Sequence, residues 1–471
     1  MSAEKYDLIV IGSGPAGEKG AAQAAYFGKK VALVEKMMFL GGAAANTGTV
    51  PSKTLRETAL FLTGFRQRQL FGLDFRGLKA SVTVRDFLMR ERMVKETERA
   101  RILDNLKRHN VALYTGSAAF VDPHTIGVKP ERCPAFPIQA EVILLATGSY
   151  PYRPPAFPFH DPRVYDSDTI LALHEIPETM LVVGGGVIGC EYACIFAALG
   201  VRVTVIEKRD RLIGCLDAEI SGALQTCMEA MGIRFFMSDC VHSVHTGEVL
   251  DVRLDSGTAL KTDTILVSSG RCGNTEELGL ASVGINVSER GQVKVNEHYQ
   301  TTLPHVYAAG DVIGNPALAS TSMEQARVAM VHAFNLQYKE SVAPILPTGI
   351  FTIPECSMVG ESEESLTQQK IPYIVGKATY EKNARGQIIG EQSGLLKLIF
   401  HEETMRLLGV HMIGEQATEL IHVGLTALLL KAGAEIFIQS CYNYPTLTEM
   451  YKYAAYDALG RRAQRLKAQT A

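Results

Sequence analysis

The chain has 471 residues, enough for about two to four domains, and its 46% hydrophobic content can fill several cores. Lys and Arg total 47 against 50 Asp and Glu, a formal charge of −3, which excludes the basic surface expected of a nucleic-acid-binding or membrane-surface protein. No run approaches the roughly 18 to 20 apolar residues of a membrane span, and a strand begins soon after Met1 without a cationic leader, so a soluble protein is expected. The nine cysteines are scattered with no Cys-x-x-Cys, which points to reduced side chains, a cytoplasmic setting and no metal site. Cys190 and Cys194 lie one helical turn apart, a spacing that suits ordinary core packing.

In chain order, the β-branched run Tyr6 to Ile11 predicts a buried parallel strand leading into Gly12-Ser13-Gly14-Pro15-Ala16-Gly17. A helix with small residues follows, then a strand from Lys30 to Val34 ending on Glu35 and Lys36. The same pattern recurs 172 residues later: a strand Met180 to Val183, the turn Gly184-Gly185-Gly186-Val187-Ile188-Gly189, a helix, and a strand Arg202 to Ile206 ending on Glu207 and Lys208. Each copy predicts a dinucleotide site. The first glycine makes the tight turn, the second lets backbone N–H groups approach a pyrophosphate, and the third lets helix and strand pack closely. The acid about 20 residues on accepts from ribose hydroxyls, and the helix N-terminus favours phosphate charge.

Between the two units, a strand Val142 to Leu145 meets Ala146-Thr147-Gly148-Ser149, and prolines 151, 154, 155 and 158 punctuate a connector. Beyond the second unit, Ile265 to Ser269 meets Gly270-Arg271, and Val306 to Ala309 meets Gly310-Asp311. The simplest topology interrupts one nucleotide domain (1–150 and 275–343) with another (151–274). A third domain (344–471) has alternating strands and an apolar helix, Ala417 to Leu430, but no glycine fingerprint. The fold class is therefore α/β: two Rossmann-like domains, one inserted in the other, with a C-terminal α+β domain.

In this order the motifs resemble the two-dinucleotide flavoproteins (pyridine nucleotide-disulfide oxidoreductases), the family that includes dihydrolipoamide dehydrogenase, glutathione reductase and mercuric reductase. The matching segments span the chain: the first fingerprint with Glu35, Gly41 to Lys53, Gly116-Ser117-Ala118, Ala146 to Ser149, the second fingerprint with Glu191, Gly270-Arg271, Tyr307 to Val312 and Tyr444 to Glu449. The resemblance implies FAD in the first fold, with Gly42, Thr49, Ala118, Thr147 and Gly148 around it and Asp311 on the ribityl chain. It implies NAD(H) or NADP(H) in the second, near Gly270, and a homodimer or larger homo-oligomer built on the last domain. Lys53 and Glu191 match residues that pair beside flavin N5, where a cation stabilises reduced flavin. Val187 stands where some relatives place a tyrosine lid.

Two departures are informative. Where the disulfide reductases have two redox cysteines, this chain has Ala44 and Thr49, so thiol chemistry by that route is excluded. Where they have a proton-donating His, this chain has Tyr444 of Tyr444-Pro445-Thr446-Leu447-Thr448-Glu449, and a phenol is a poor base at neutral pH. This pattern is most similar to the soluble, Si-specific pyridine nucleotide transhydrogenases, helped by the segments YDSD (165–168), PTGI (347–350) and TIPE (352–355), although those proteins usually keep the first cysteine. Without a disulfide, electrons leave to a second nicotinamide at the Glu207 site, in ping-pong fashion, or to oxygen, a quinone or a dye. A non-catalytic nucleotide-sensing scaffold is the alternative from another class.

Glu207 favours NAD(H), whereas Lys208, Arg209 and Arg211 could pair the extra phosphate of NADP(H) if Glu207 rotates away. The basic tail Arg461, Arg462, Arg465 and Lys467 is expected to cap a final helix and fray into solvent.

Overall fold

The small residues that follow each glycine turn let a helix lie close on its strands, and the two units form accordingly. A computed structural model describes residues 3–65 and 82–470; residues 1–2 and 66–81 of the first predicted domain lie outside the described residues. In the first unit Glu4–Ile11 runs into helix Pro15–Tyr26 and then Val31–Glu35. The parallel order is Ala112–Thr115, Val31–Glu35, Glu4–Ile11, Phe136–Leu145, with Ser117–Asp122 and Thr125–Lys129 extending it antiparallel. Val306–Ala308 returns to pair in parallel with Phe136–Leu145, Val306 opposite Ile143, so the chain re-enters this sheet after the second unit.

The second unit repeats the design with Thr179–Val183, helix Val187–Leu199 and Arg202–Glu207. Its parallel sheet runs Arg234–Met237, Arg202–Glu207, Thr179–Val183, Thr264–Val267, Val164–Asp166. The C-terminal region is a five-stranded antiparallel sheet, Thr348–Ile350, Cys356–Gly360, Leu407–Ile413, Leu395–His401, Tyr373–Thr379. The predicted helix there is Ala417–Leu429.

One core cluster joins all three parts. Leu55 of helix Thr49–Thr63, Phe87 of helix Val84–Arg108, Cys190, Cys194 and Phe196 of helix Val187–Leu199, and Ile353 and Cys356 of the C-terminal region share it. Cys190 and Cys194 are fully buried core thiols. This packing sets helix Thr49–Thr63 against helix Val187–Leu199 and so fixes Lys53 relative to Glu191; truncating Phe196 to Ala would cost about 3–5 kcal/mol.

The basic tail differs from expectation. It belongs to helix Met450–Thr470, which lies so close on Tyr373–Thr379 that a Cβ at Gly376 would come 1.9 Å from Ala454 O. Arg461 pairs with Asp457 at 2.8 Å, Arg462 donates to Glu403 O at 2.6 Å, and Arg465 donates to Tyr373 O at 3.1 Å and pairs with Glu402 at 3.2 Å. Arg462 and Arg465 are fastened to the sheet and its loop ends, which present oxygens along the helix, while Arg461 pairs within its own helix.

Candidate active site

Both glycine turns have the geometry a bound pyrophosphate requires. Gly12 and Gly184 lie in the left-handed region, φ 101° and 105°, where a Cβ would come 2.3 Å from Ala146 O and 2.6 Å from Ser268 O respectively. A Cβ at Gly17 or Gly189 would come 1.9 Å from the carbonyl oxygen of the first glycine of its turn. The middle glycines are open: a Cβ at Gly14 would meet nothing nearer than Gly42 Cα at 3.8 Å, and one at Gly186 nothing within 4 Å. Their backbones are free to approach a ligand.

The two acids close the turns in the same manner. Glu35 Oε2 accepts from Ser13 N–H at 2.9 Å and Ser13 Oγ at 2.5 Å, while Oε1 accepts from Met37 N–H at 2.8 Å. Glu207 Oε2 accepts from Gly185 N–H at 2.6 Å and Oε1 from Arg209 N–H at 2.9 Å. Each buried carboxylate is thereby held in place with acceptor capacity left for a diol. Glu207 is thus anchored at both oxygens, and the rotation that would free Lys208, Arg209 and Arg211 for an added phosphate would break both hydrogen bonds. Arg211 is likewise engaged, donating to Glu364 at 3.0 Å.

A cavity of about 1330 Å³ runs from the first turn to the second helix. Gly12, Ser13, Gly14, Pro15, Ala16, Glu35, Lys36, Gly42, Thr49, Lys53, Ala118, Thr147, Gly148 and Asp311 line it, together with Val187, Ile188 and Glu191. Gly17, Gly184, Gly186, Gly189, Glu207, Lys208 and Gly270 lie outside it; Gly17 and Gly189 are packing glycines, and the rest belong to the second turn and its surroundings. Lys36 pairs with Glu277 at 2.6 Å near the cavity rim.

Lys53 and Glu191, 138 residues apart in sequence, meet at 2.6 Å. Glu191 is buried, and its other oxygen accepts from Phe351 N–H at 2.9 Å. Lys53 Nζ also lies 3.3 Å from Ser52 Oγ and 5.1 Å from the Phe351 ring centroid. The ammonium is therefore fixed at the cavity wall by an anion, a hydroxyl and a ring. Ala44 and Thr49 line the same cavity, and no cysteine does so among the described residues. Tyr444 is largely exposed.

Several cavity residues escaped the sequence reading. Asp311 Oδ2 accepts from Ser149 Oγ at 2.9 Å, and Ser149 in turn accepts from Arg271 Nε at 2.8 Å. Arg271 also reaches Ser167 Oγ at 3.3 Å and Asp168 at 3.4 Å. Burial pushes the Asp168 carboxyl up, with the Arg271 guanidinium opposing it. The segments Tyr165 to Asp168 and Gly270-Arg271 match blocks of related sequences, but the sequence alone points only to Gly270 as part of a site.

Flavin dinucleotide fits these residues. The second glycine of the first turn is open, the Glu35 carboxylate has free acceptor capacity, and the buried Thr147 Oγ1 at the cavity wall has no hydrogen-bond partner among the described residues. The pyridine nucleotide-disulphide oxidoreductase family model matches residues 6–330, and the dimerisation domain of that family matches residues 346–455. The chain belongs to the pyridine nucleotide-disulphide oxidoreductase family. It is accordingly an FAD-dependent oxidoreductase that works with a pyridine nucleotide.

It is 44% identical over 459 residues to the soluble pyridine nucleotide transhydrogenase of Mycobacterium tuberculosis, covering 97% of this chain and 98% of that one. It is 42% identical over 471 residues to the protein of the same name from Pseudomonas putida, covering 98% and 100%. Among solved structures it is similar to the HOCl-induced flavoprotein disulfide reductase RclA from Escherichia coli, with a TM-score of 0.86 at 27% identity over 96% of this chain and 99% of that one. No helix among the described residues is long and apolar enough to cross a membrane.

Proposed function

We propose that this protein exchanges hydride between NADPH and NAD⁺, using FAD and a single nicotinamide site occupied by the two nucleotides in turn. The observation that carries this reading is the Lys53–Glu191 pair in a cavity whose redox-cysteine positions are Ala44 and Thr49. The names of the transhydrogenases of M. tuberculosis and P. putida support it. Residues 1–150 and 275–343 form the FAD unit, 151–274 the NAD(P) unit, and 344–471 the homodimer-forming domain.

FAD, when bound, supplies hydride acceptance and donation at N5. The chain's own groups bind and orient. Glu35 holds one ribose and Glu207 the other, while the two glycine turns present backbone N–H groups to the pyrophosphates. Lys53 keeps a fixed positive charge at the cavity wall, steadied by Glu191 and Phe351, where negative charge develops during hydride transfer. Asp311 is set by Ser149 and Arg271 to accept from the ribityl chain. Ala44 and Thr49 offer no thiol, so hydride taken from one nicotinamide is returned to the next rather than passed to a disulfide.

The test is anaerobic: mix the flavin-loaded protein with NADPH and thio-NAD⁺ and follow reduced thio-NAD. Many turnovers per flavin are expected. A single bleaching that persists until oxygen or a quinone is admitted would instead identify an oxidase or quinone reductase.

A further inference from the structure

Between Glu207 and helix Ala218–Ala230 runs a loop that closes over the second glycine turn. Ile213 N–H donates to Gly185 O at 2.8 Å, and Leu212 fills the space that a side chain at Gly185 would need. The loop carries three cations with different surroundings. Lys208 and Arg209 are exposed and form no ion pair among the described residues. Arg211 is half-buried, with one guanidinium nitrogen donating to Glu364 Oε1 at 3.0 Å and another to Gly214 O at 3.0 Å.

Glu364 lies on helix Glu363–Gln369 of the C-terminal domain, 153 residues from Arg211. The same Oε1 accepts from Ala218 N–H at 3.0 Å, at the start of the helix that ends the loop, while the buried Oε2 has no hydrogen-bond partner among the described residues. The loop's end is further fastened by Asp217, which holds the buried Lys397 at 2.8 and 2.9 Å. Arg211 is therefore drawn toward the C-terminal domain. Glu207 is held by two backbone N–H groups, so in the wild-type chain the carboxylate stays in place beside an added phosphate, and compensation for its charge must come from the cations.

We propose that Glu364 is a specificity-determining residue, which holds Arg211 toward the C-terminal domain and thereby limits affinity for the 2′-phosphate of NADP(H) relative to NAD(H). This rests on the reading that the second turn holds the nicotinamide nucleotide. The Arg211–Glu364 pair is about two-fifths exposed on both sides, 38% and 37%, and a pair at that exposure can exchange its carboxylate for a phosphate.

The experiment measures NAD⁺ and NADP⁺ affinities of the flavin-loaded protein by calorimetry, for wild type, Glu364→Gln and Glu364→Gln/Arg211→Gln. The amide keeps the acceptor for Ala218 N–H and removes the charge. NADP⁺ affinity should rise about tenfold in Glu364→Gln, the equivalent of one charge-assisted hydrogen bond, with NAD⁺ affinity within about twofold, and the gain should vanish in the double variant. An unchanged or weakened NADP⁺ affinity, a parallel change in both nucleotides, or a gain that survives loss of Arg211 would overturn the proposal. If wild type binds neither nucleotide, the assignment of the second turn fails and takes the proposal with it.

Discussion

The two glycine turns share the placement of their three fingerprint glycines but differ at the three positions between them, and the difference that shapes their surroundings is Ser13 in the first against Gly185 in the second. The Ser13 hydroxyl donates to Glu35 and accepts from Gly41 N–H at 2.9 Å, which ties the first turn to the segment that leads to Lys53. At Gly185 a Cβ would come 2.8 Å from Leu212 and 3.0 Å from the Glu207 side chain. The second turn is covered instead by a loop, and that loop is fastened to a different domain through Arg211 and Asp217. One backbone design thus serves two demands: a turn braced internally suits a resident cofactor, and a turn covered by a loop suits a ligand that comes and goes.

Paired substitutions can break this comparison. The largest effects are expected at Gly17→Ala and Gly189→Ala, because each new Cβ would sit 1.9 Å from a carbonyl oxygen and the backbone must shift. Gly17→Ala should purify colourless. Gly189→Ala should stay yellow but lose nucleotide-dependent bleaching, as read by absorbance at purification and after NADPH addition. Loss of flavin from both would mean that the turns are not independent.

Next in size is Lys53→Met, which removes the fixed charge and leaves Glu191 buried without its partner; anaerobic stopped-flow should show flavin reduction slowed about 100-fold. Retained speed would remove Lys53 from the account. Glu207→Ala should then weaken NADH binding about tenfold by removing the ribose acceptor, and should strengthen NADPH binding by removing a like charge, with flavin content unchanged. Equal effects on both nucleotides would place Glu207 in the turn's architecture alone.

A smaller effect concerns pH. Burial holds His411 below the usual histidine range; its Nε2 lies 2.8 Å from Glu361 O, which can only accept, and Nδ1 has no partner among the described residues. Asp217, Lys397 and Glu364 are the charged groups around it. The unfolded chain therefore takes up the proton first as pH falls through about 6.5, so His411 withdraws stability from there downward. Tm should fall by roughly a few degrees from pH 7 to 5.5, and His411→Gln should flatten that slope. An unchanged slope would assign the acid loss to carboxylates alone.

What was legible in the sequence was local. The turns, their acids and the flanking strands lie within about 30 residues of one another, and hydrophobic period and glycine spacing are enough to read them. The Lys53–Glu191 pair was reached only through family resemblance, since nothing in the spacing brings the two residues together. Lys397 stands in the run Leu395–His401, where alternation would place a lysine toward solvent, yet it is buried with Asp217. Glu364 and Arg271 were missed for the same reason. Glu364 finds Arg211 in another domain, and Arg271 finds Asp168 103 residues away and Ser149 in the first unit; charge pairing at such separations leaves no periodic trace.

The most direct test of the central claim is an anaerobic titration of the flavin-loaded protein with NADPH, followed by NAD⁺. If Ala44 and Thr49 leave no disulfide to fill, as proposed, one equivalent of NADPH should bleach the flavin completely, and NAD⁺ should then restore the full absorbance without air. A requirement for two equivalents, or a failure of NAD⁺ to restore the colour, would contradict it.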